Sequence, residues 1–509
     1  MIKFLKGDFV FEKRLSALKK AFIFMFCVLC LRLGELAIIN GKSLETMAQM
    51  QQQRTVDLEN IRGTITDRYG KEFTGTRKET YYLDKEGNVL KENPKDYALE
   101  FQKEKRSPDI AKHLIGYTSP DGEGKSGLER IFNKELKSKE KLKLSYLADA
   151  MGRPYGDVKV LAKKAKSQIE LRLTLDKEIQ KNAEDVMDKY IKKGALVLLD
   201  AENFDVLAMV SRPSFDEKKL LSYEESSDGE LLNRALISYN AGSVFKIITA
   251  AAALEKNKDY VSRYFDCRGS YDLGDGHIFG CNEKSGHGSL YFTDAFAKSC
   301  NCSFYVTGLE TGGEDIIQMA RKFGIGGKLL NVNLEEALGN LPQRSFYSKP
   351  EILNISIGQG EVLVTPLECA VMAATVANGG VRKKVNIIDG IKSEKNFKRL
   401  SKKGEERVIS EETARYISDM MRTCVTTGTG ILAKNSKAQI SGKTGSAESG
   451  WIKDGKPMVH GWFCGFFPSD KPKYAMAILS EGGESGSKSC VAPFVEMAEK
   501  IIENYSFIG

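Results

Sequence analysis

"LTLDKEIQKNAEDVMDKYIKKGALVLLDAENFDVLAMVSRPSF" (residues 173–215) is where the chain changes character. Its first part carries apolar residues at helical period and predicts a helix of about 18 residues. A fully apolar run, Ala195–Leu199, then predicts a strand. A turn at Ala201–Phe204 and a second strand, Val206–Val210, complete a hairpin. Downstream, helices and strands continue to mix. "LECAVMAATVANGG" reads as a helix stopped by glycine, and "GWFCGFFPSDKPKYAMAILSEGG" as a hairpin of buried strands. No repeat occurs at a solenoid period. Upstream, residues 41–170 are rich in lysine and glutamate, with short strand-like runs such as "GTITDRYG" and "ETYYLD". The expected organisation is α+β and multidomain: a tail over 1–20, an anchor over 21–39, a pedestal over 40–171 and one large domain over 172–505.

With 509 residues the chain is long enough for two or three domains. Its 41% hydrophobic and 28% charged residues are those of an ordinary globular protein. The net charge of +8 comes mostly from scattered lysines without interleaved aromatics, which argues against nucleic-acid binding. None of the four histidines sits at metal-ligand spacing, and Cys27-x-x-Cys30 lies in an apolar run where packing explains it. No metal and no cofactor are expected, and a histidine-based triad is disfavoured.

The N-terminal region holds an apolar run from Ala21 to Leu31, then Arg32 and a weakly apolar stretch to Ile39. Eleven residues cannot span a bilayer, which needs roughly 20. The span becomes long enough if Lys19, Lys20 and Arg32 snorkel and residues 33–39 join it. No small-x-small site follows, which favours an uncleaved anchor over a cleaved signal peptide. Lys3, Lys6, Lys13, Arg14, Lys19 and Lys20 precede the run, against Asp8 and Glu12. That bias predicts a cytoplasmic N-terminus and an extracytoplasmic remainder.

Within the large domain, "YNAGSVFKIITAAAALE" (239–255) places Lys246 in an apolar helix, one turn after Ser243. A buried ammonium is costly unless it is paired or deprotonated. A neutral Lys246 could therefore act as the base that activates Ser243. The pattern S-x-x-K is weak alone, since it also occurs at Ser16, Ser138 and Ser485 in solvated surroundings. Two further motifs follow. Ser299-Cys300-Asn301 offers a hydroxyl to relay a proton and an amide to hold Lys246 or a substrate carbonyl. Lys443-Thr444-Gly445-Ser446 suits an edge strand. There Gly445 lets a substrate backbone approach, Lys443 and Thr444 recognise a carboxylate, and the Ser446 N–H joins that of Ser243 in an oxyanion hole. A phosphate loop is excluded, because Lys437 stands where the first glycine is needed. S-x-x-K, S-x-N and K-T-G in this order form the set shared by penicillin-binding proteins and serine β-lactamases.

The chain resembles a class B penicillin-binding protein, a monofunctional peptidoglycan D,D-transpeptidase. Besides the three motifs, "IRGTITDRYG" (61–70), "HLIGYTSPDGEGKSGLERIFNKEL" (113–136), "GALVLLDAENFDVLAMVSRPSFD" and "ISIGQGEVLVTPLECA" (355–370) are similar to segments of that family, across roughly residues 15–500. The resemblance implies an antiparallel sheet flanked by helices. It implies a Ser243 nucleophile acting on D-Ala–D-Ala stem peptides, with Gly358 and Gln359 lining the cleft. β-Lactams would acylate the same serine. A polytopic SEDS-type glycosyltransferase would be the membrane partner, in elongation, division or sporulation. With so short a pedestal the chain should not polymerise glycan itself. A D,D-carboxypeptidase or β-lactamase would use the same motifs, but the pedestal and its R-G-x-I-x-D-R box argue against both. A catalytically silent β-lactam receptor or scaffold is the reading of another class, disfavoured by the intact motif set. Cys267 and Cys281 bracket a hairpin and could form a disulfide or stay reduced, and Cys300 is redox-sensitive if exposed.

Overall fold

The computed structural model describes residues 2–505 apart from 92–93, 120, 162–168, 224, 275, 345, 395 and 454. The chain divides into two compact units. The smaller comprises Met1–Glu59, Arg77–Lys105 and Glu140–Lys164. Its N-terminal helix, Ile2–Gly34, runs through a π turn (Glu35–Ile39) into a second helix, Gly41–Gln52. The stretch Phe11–Ile39 reaches a mean hydropathy of 2.3 in its most apolar window, none of which is buried, and it is long and apolar enough to cross a membrane. The helix starts well before the span expected at 21–39 because leucine, lysine and arginine, which dominate residues 13–20, are strong helix formers. Beyond it lies a small sheet core of Tyr81, Leu83, Phe101, Leu144, Tyr146 and Ala148.

The larger unit comprises Asn60–Thr76, Arg106–Lys139 and Ala165–Gly509. The segment expected as one pedestal over 40–171 is therefore shared between the two units. Two motifs draw residues 60–76 and 106–139 into the larger one. Strand Thr64–Thr66 pairs in parallel with Glu170–Leu173. A side chain on Gly63 would meet Ile169 O at 2.2 Å, so glycine is required there. Arg62, before it, is buried with Glu129 (Nη2–Oε2, 2.6 Å) and also donates to Gly122 O and Asn133 Oδ1. The R-G box and the S-G-L-E segment thus meet through one ion pair.

The centre of the larger unit is a five-stranded antiparallel sheet: β1 (Gly194–Asp200), β2 (Val206–Arg212), β3 (Ser441–Lys453), β4 (Lys456–Phe467) and β5 (Tyr474–Gly483), in the order β2-β1-β5-β4-β3. The sheet is a middle layer, which explains why β1 is apolar at nearly every position. Ala195, Val197 and Leu199 enter the core on one face, Leu196 and Leu198 that on the other. One face is covered by Lys177–Tyr190 and Val491–Tyr505, and the other by the helices around Lys246–Lys256 and Pro366–Ala377. Helix Lys177–Tyr190 is shorter than the 18 residues expected. Asp176 caps it by accepting from Glu178 N (2.9 Å) and Ile179 N (3.1 Å), and Ile191 is already extended. The glycine-stopped helix is Pro366–Ala377, opened by a Thr365–Glu368 capping box. Both hairpins stand where the sequence pattern predicts them, and β3 is an edge strand.

Candidate active site

The apolar run after Lys246 packs on the sheet, so the preceding turn is presented at the edge next to β3. Ser243 lies in a tight 3-10 turn, Gly242–Phe245, with Lys246 opening helix Lys246–Lys256. Gly242 has φ +55°, and its N–H donates to Gly358 O (2.8 Å). Gly358 itself has φ +69°, and a side chain there would lie 2.3 Å from Gly242 O and 2.6 Å from Phe245 Cβ. Two glycines in contact therefore fix the serine turn. Ser243 is half-buried, while Val244, Phe245 and Lys246 are fully buried.

Lys246 has no solvent exposure, so its charge is met inside the protein. Its Nζ donates to Ser299 O (2.7 Å), Asn301 Oδ1 (2.7 Å) and Ser299 Oγ (3.1 Å), and lies 5.3 Å from the centroid of the Phe304 ring. Burial, then the nearby Lys443 ammonium, hold the Lys246 pKa well below the ordinary lysine value. Ser299 is left-handed (φ +56°), a strained conformation that turns both its carbonyl and its hydroxyl toward the lysine. Of the three partners only the Ser299 hydroxyl can switch from acceptor to donor. A lysine that loses its proton can thus keep all three contacts. Among the described residues no hydrogen bond joins Lys246 Nζ to Ser243 Oγ, which differs from the direct pairing expected. The reason is that all three ammonium donors point at Ser299 and Asn301.

The third motif lies on β3. Lys443 is fully buried, with Nζ donating to Thr444 O (3.1 Å) above the Phe296 ring. Desolvation lowers its pKa as well. Thr444 shares a hydroxyl hydrogen bond with Thr429, whose carbonyl accepts from Ser487 Oγ (2.8 Å). Gly445 lies where β3 presses on the serine turn. A Cβ there would be 3.0 Å from Val244 Cγ1 and 3.2 Å from Val244 N. Ser446 is exposed, its hydroxyl accepts from Gly486 N (3.2 Å), and its carbonyl abuts Gly242.

The fold thus gathers Ser243, Lys246, Ser299, Asn301, Lys443, Thr444, Gly445 and Ser446 at one end of the sheet. Gly358 braces the turn from behind, and Gln359 is half-buried with its N–H given to Asn354 O. Sequence reasoning did not single out Phe296 and Phe304, the aromatic floor under the two lysines, or Thr429. The two phenylalanines are core residues of two successive helices, with nothing in the local sequence to mark them. All ten cysteines are free, so the Cys267–Cys281 disulfide does not form here, and Cys300 is buried rather than exposed. Spacing along the chain suggests no metal ligands. In the fold, however, Cys267, Cys281, His287 and Cys300 bring their ligand atoms within 4.8 Å of one another.

Residues 194–503 match the family described as the penicillin-binding protein transpeptidase domain. Stage V sporulation protein D of Bacillus subtilis is 27% identical, over 92% of this chain and 81% of its own length. The peptidoglycan D,D-transpeptidase PbpA of Mycolicibacterium smegmatis is 30% identical, over 61% and 67% respectively. Among solved structures, a chain from a peptidoglycan synthase complex that coordinates polymerisation and crosslinking superposes with a TM-score of 0.71. It covers 97% of this chain and 99% of its own at 23% identity, a likeness of fold.

Proposed function

Because the chain belongs to the penicillin-binding protein transpeptidase family, as one of its class B members, we propose that it crosslinks peptidoglycan stem peptides through a Ser243 acyl-enzyme. The observation that carries this reading is the fully buried Lys246, held by Ser299 and Asn301 beside a serine turn that β3 closes from above. Neutral Lys246 takes the Ser243 proton as Oγ attacks the carbonyl carbon of the penultimate D-Ala. The N–H groups of Ser243 and Ser446 stabilise the oxyanion. Ser299, bonded to Lys246, passes a proton to the departing D-Ala amine. The amine of a second stem peptide then attacks the ester carbonyl and gives up a proton to Lys246, which returns it to Ser243 Oγ as the ester C–O bond breaks. The open edge of β3 suits an extended peptide, with Lys443 and Thr444 on its terminal carboxylate. β-Lactams would be trapped at the same ester.

The basic residues before the apolar run of the N-terminal helix support a cytoplasmic N-terminus, with catalysis on the outer side of the membrane. A SEDS-type glycosyltransferase is the partner proposed for this membrane helix and the smaller unit, and the likeness to a chain of a synthase complex supports it. The test of the mechanism is labelling by a fluorescent penicillin. Ser243→Ala should abolish the covalent adduct and leave the melting temperature unchanged; an adduct of undiminished intensity would overturn the assignment. In the wild type the adduct should be long-lived, whereas rapid turnover of a chromogenic cephalosporin would indicate a β-lactamase.

A further inference from the structure

Within residues 264–302, Phe265, Phe292 and Phe296 anchor the segment in the main core, while a separate small cluster of buried residues lies beneath its short strands and turns. It carries two two-stranded ribbons, Tyr264–Cys267 with Gly288–Tyr291 and Ser270–Asp272 with Ile278–Gly280. Gly286 (φ +84°) sits where a side chain would strike Cys267 O at 2.3 Å. The buried residues beneath are Cys267, Cys281, Leu290, Ala295, Cys300 and Cys302, so this satellite core is mostly sulfur. Four cysteines gathered in one small buried cluster point to a role beyond packing, and proteins use such clusters for a disulfide or a metal.

The distances discriminate between the two. Cys281 Sγ lies 3.9 Å from Cys300 Sγ. His287 Nδ1 lies 3.5 Å from Cys281 Sγ and 3.6 Å from Cys267 Sγ. Zinc bound at about 2.3 Å by sulfur and about 2.0–2.1 Å by nitrogen would have tetrahedral S···S edges of about 3.8 Å and S···N edges of about 3.6 Å. These three edges have the size of a coordination tetrahedron, and the whole set stays within 4.8 Å. The ligands come from separate places: the end of one strand, the residue after another, the turn before a third, and the residue capping helix Asn301–Thr311. A second shell is present too. Ser303 Oγ donates to Cys300 Sγ (3.2 Å), as suits a thiolate ligand.

The geometry points to a structural zinc site of Cys267, Cys281, His287 and Cys300. On binding, the three thiols release their protons to solvent, leaving a closed four-coordinate ion with no open position for water, hence a structural and not a hydrolytic metal. Its consequence reaches the serine chemistry, because Cys300 stands between Ser299 and Asn301. Fixing its sulfur holds the strained Ser299 and the Asn301 amide against Lys246. Cys300 and His287 are thereby positioning residues, not catalytic ones.

The test uses the full-length chain in detergent, with no metal-binding tag, purified under reducing conditions and supplied with zinc alone. Elemental analysis should find one zinc per chain, and cobalt substitution should give the intense visible bands of a tetrahedral thiolate site. Cys267→Ser and His287→Ala should each lose the metal, while Cys302→Ser and Ser243→Ala should keep it. Chelation of the wild type should slow penicillin acylation severalfold, and zinc should restore it. Substoichiometric zinc after reconstitution, a Cys281–Cys300 disulfide in protein isolated without oxidant, or unchanged zinc in His287→Ala would each overturn the site. Because Ser243→Ala reports metal without catalysis, a failed zinc site and a failed acyl-enzyme reading give different results.

Discussion

Replacing Asn301 by aspartate changes one atom's identity at the point where the Lys246 ammonium is held. Asn301 Oδ1 accepts from Lys246 Nζ at 2.7 Å, and Asp is isosteric with Asn, so packing is retained. The substitution introduces a negative charge whose centre lies about 4 Å from the ammonium. At an effective dielectric of about 20 that pair is worth about 4 kcal/mol, or about three pK units in favour of the charged lysine. Part of this is spent desolvating the carboxylate, so three units is an upper bound. A base with a raised pKa is neutral over less of the working range. The acidic limb of the pH profile for penicillin acylation should therefore move alkaline by one to three units. At a fixed pH below the new pKa, the rate should fall about tenfold for each unit moved. The assay is stopped-flow or gel-based acylation between about pH 5 and 10, with thermal melts to verify folding. A variant that folds and acylates with the wild-type pH profile would refute Lys246 as the titrating base. A uniform loss at every pH would mean that Asn301 positions substrate and does not set the protonation of Lys246.

Three further perturbations probe other parts of the structure. Gly445→Val places two γ carbons against Val244, where even a Cβ stands at 3.0 Å; acylation should drop about 100-fold with a stability loss of about 1–3 kcal/mol, and a normal acylation rate would show that β3 need not press on the serine turn. Arg62→Met takes the guanidinium away from Glu129, which is 3% exposed; chemical denaturation should show the larger unit weakened by about 3–5 kcal/mol, whereas a loss below about 1 kcal/mol would mean that the pair carries no stability. Lys246→Met tests linkage. The folded pKa of Lys246 is depressed below its unfolded value, so its contribution to stability is present at alkaline pH and lost as pH falls through the folded value. Wild-type stability should thus rise more steeply with pH, over the range below the ordinary lysine value, than that of Lys246→Met, and parallel curves would show that the buried lysine keeps an ordinary pKa.

How much of this was legible in the residues depends on the range of the interaction. β1 and its hairpin could be read because burial on both faces forces an apolar run, and helix Lys177–Tyr190 because one face is buried and Asp176 caps it. The chemistry could be read because S-x-x-K is local: three residues put Ser243 one turn from Lys246, in a 3-10 turn that leads into the helix. What could not be read are contacts closed by the fold. Arg62 and Glu129 are 67 positions apart, and their two motifs look unrelated until the ion pair joins them. Phe304 looks like core because it is core, and only the arrival of Lys246 above it gives the ring a second role.

The same distinction accounts for the cysteines. Metal-ligand spacing is recognisable in a sequence when two ligands share one turn or one hairpin. Here four ligands come from four elements, and two of the intervals between them also suit an unremarkable loop. In the sequence Cys300 was visible as the middle residue of S-x-N and as a redox-sensitive thiol, and in the fold it faces into the sulfur cluster, away from Lys246. That facing away is the physical point. Ser299 and Asn301 turn toward Lys246 because the residue between them turns into the sulfur cluster, with Ser299 left-handed as the joint. Whatever fixes Cys300 from behind therefore sets how firmly the lysine is held in front, and the strain at Ser299 is sustained by both sides together.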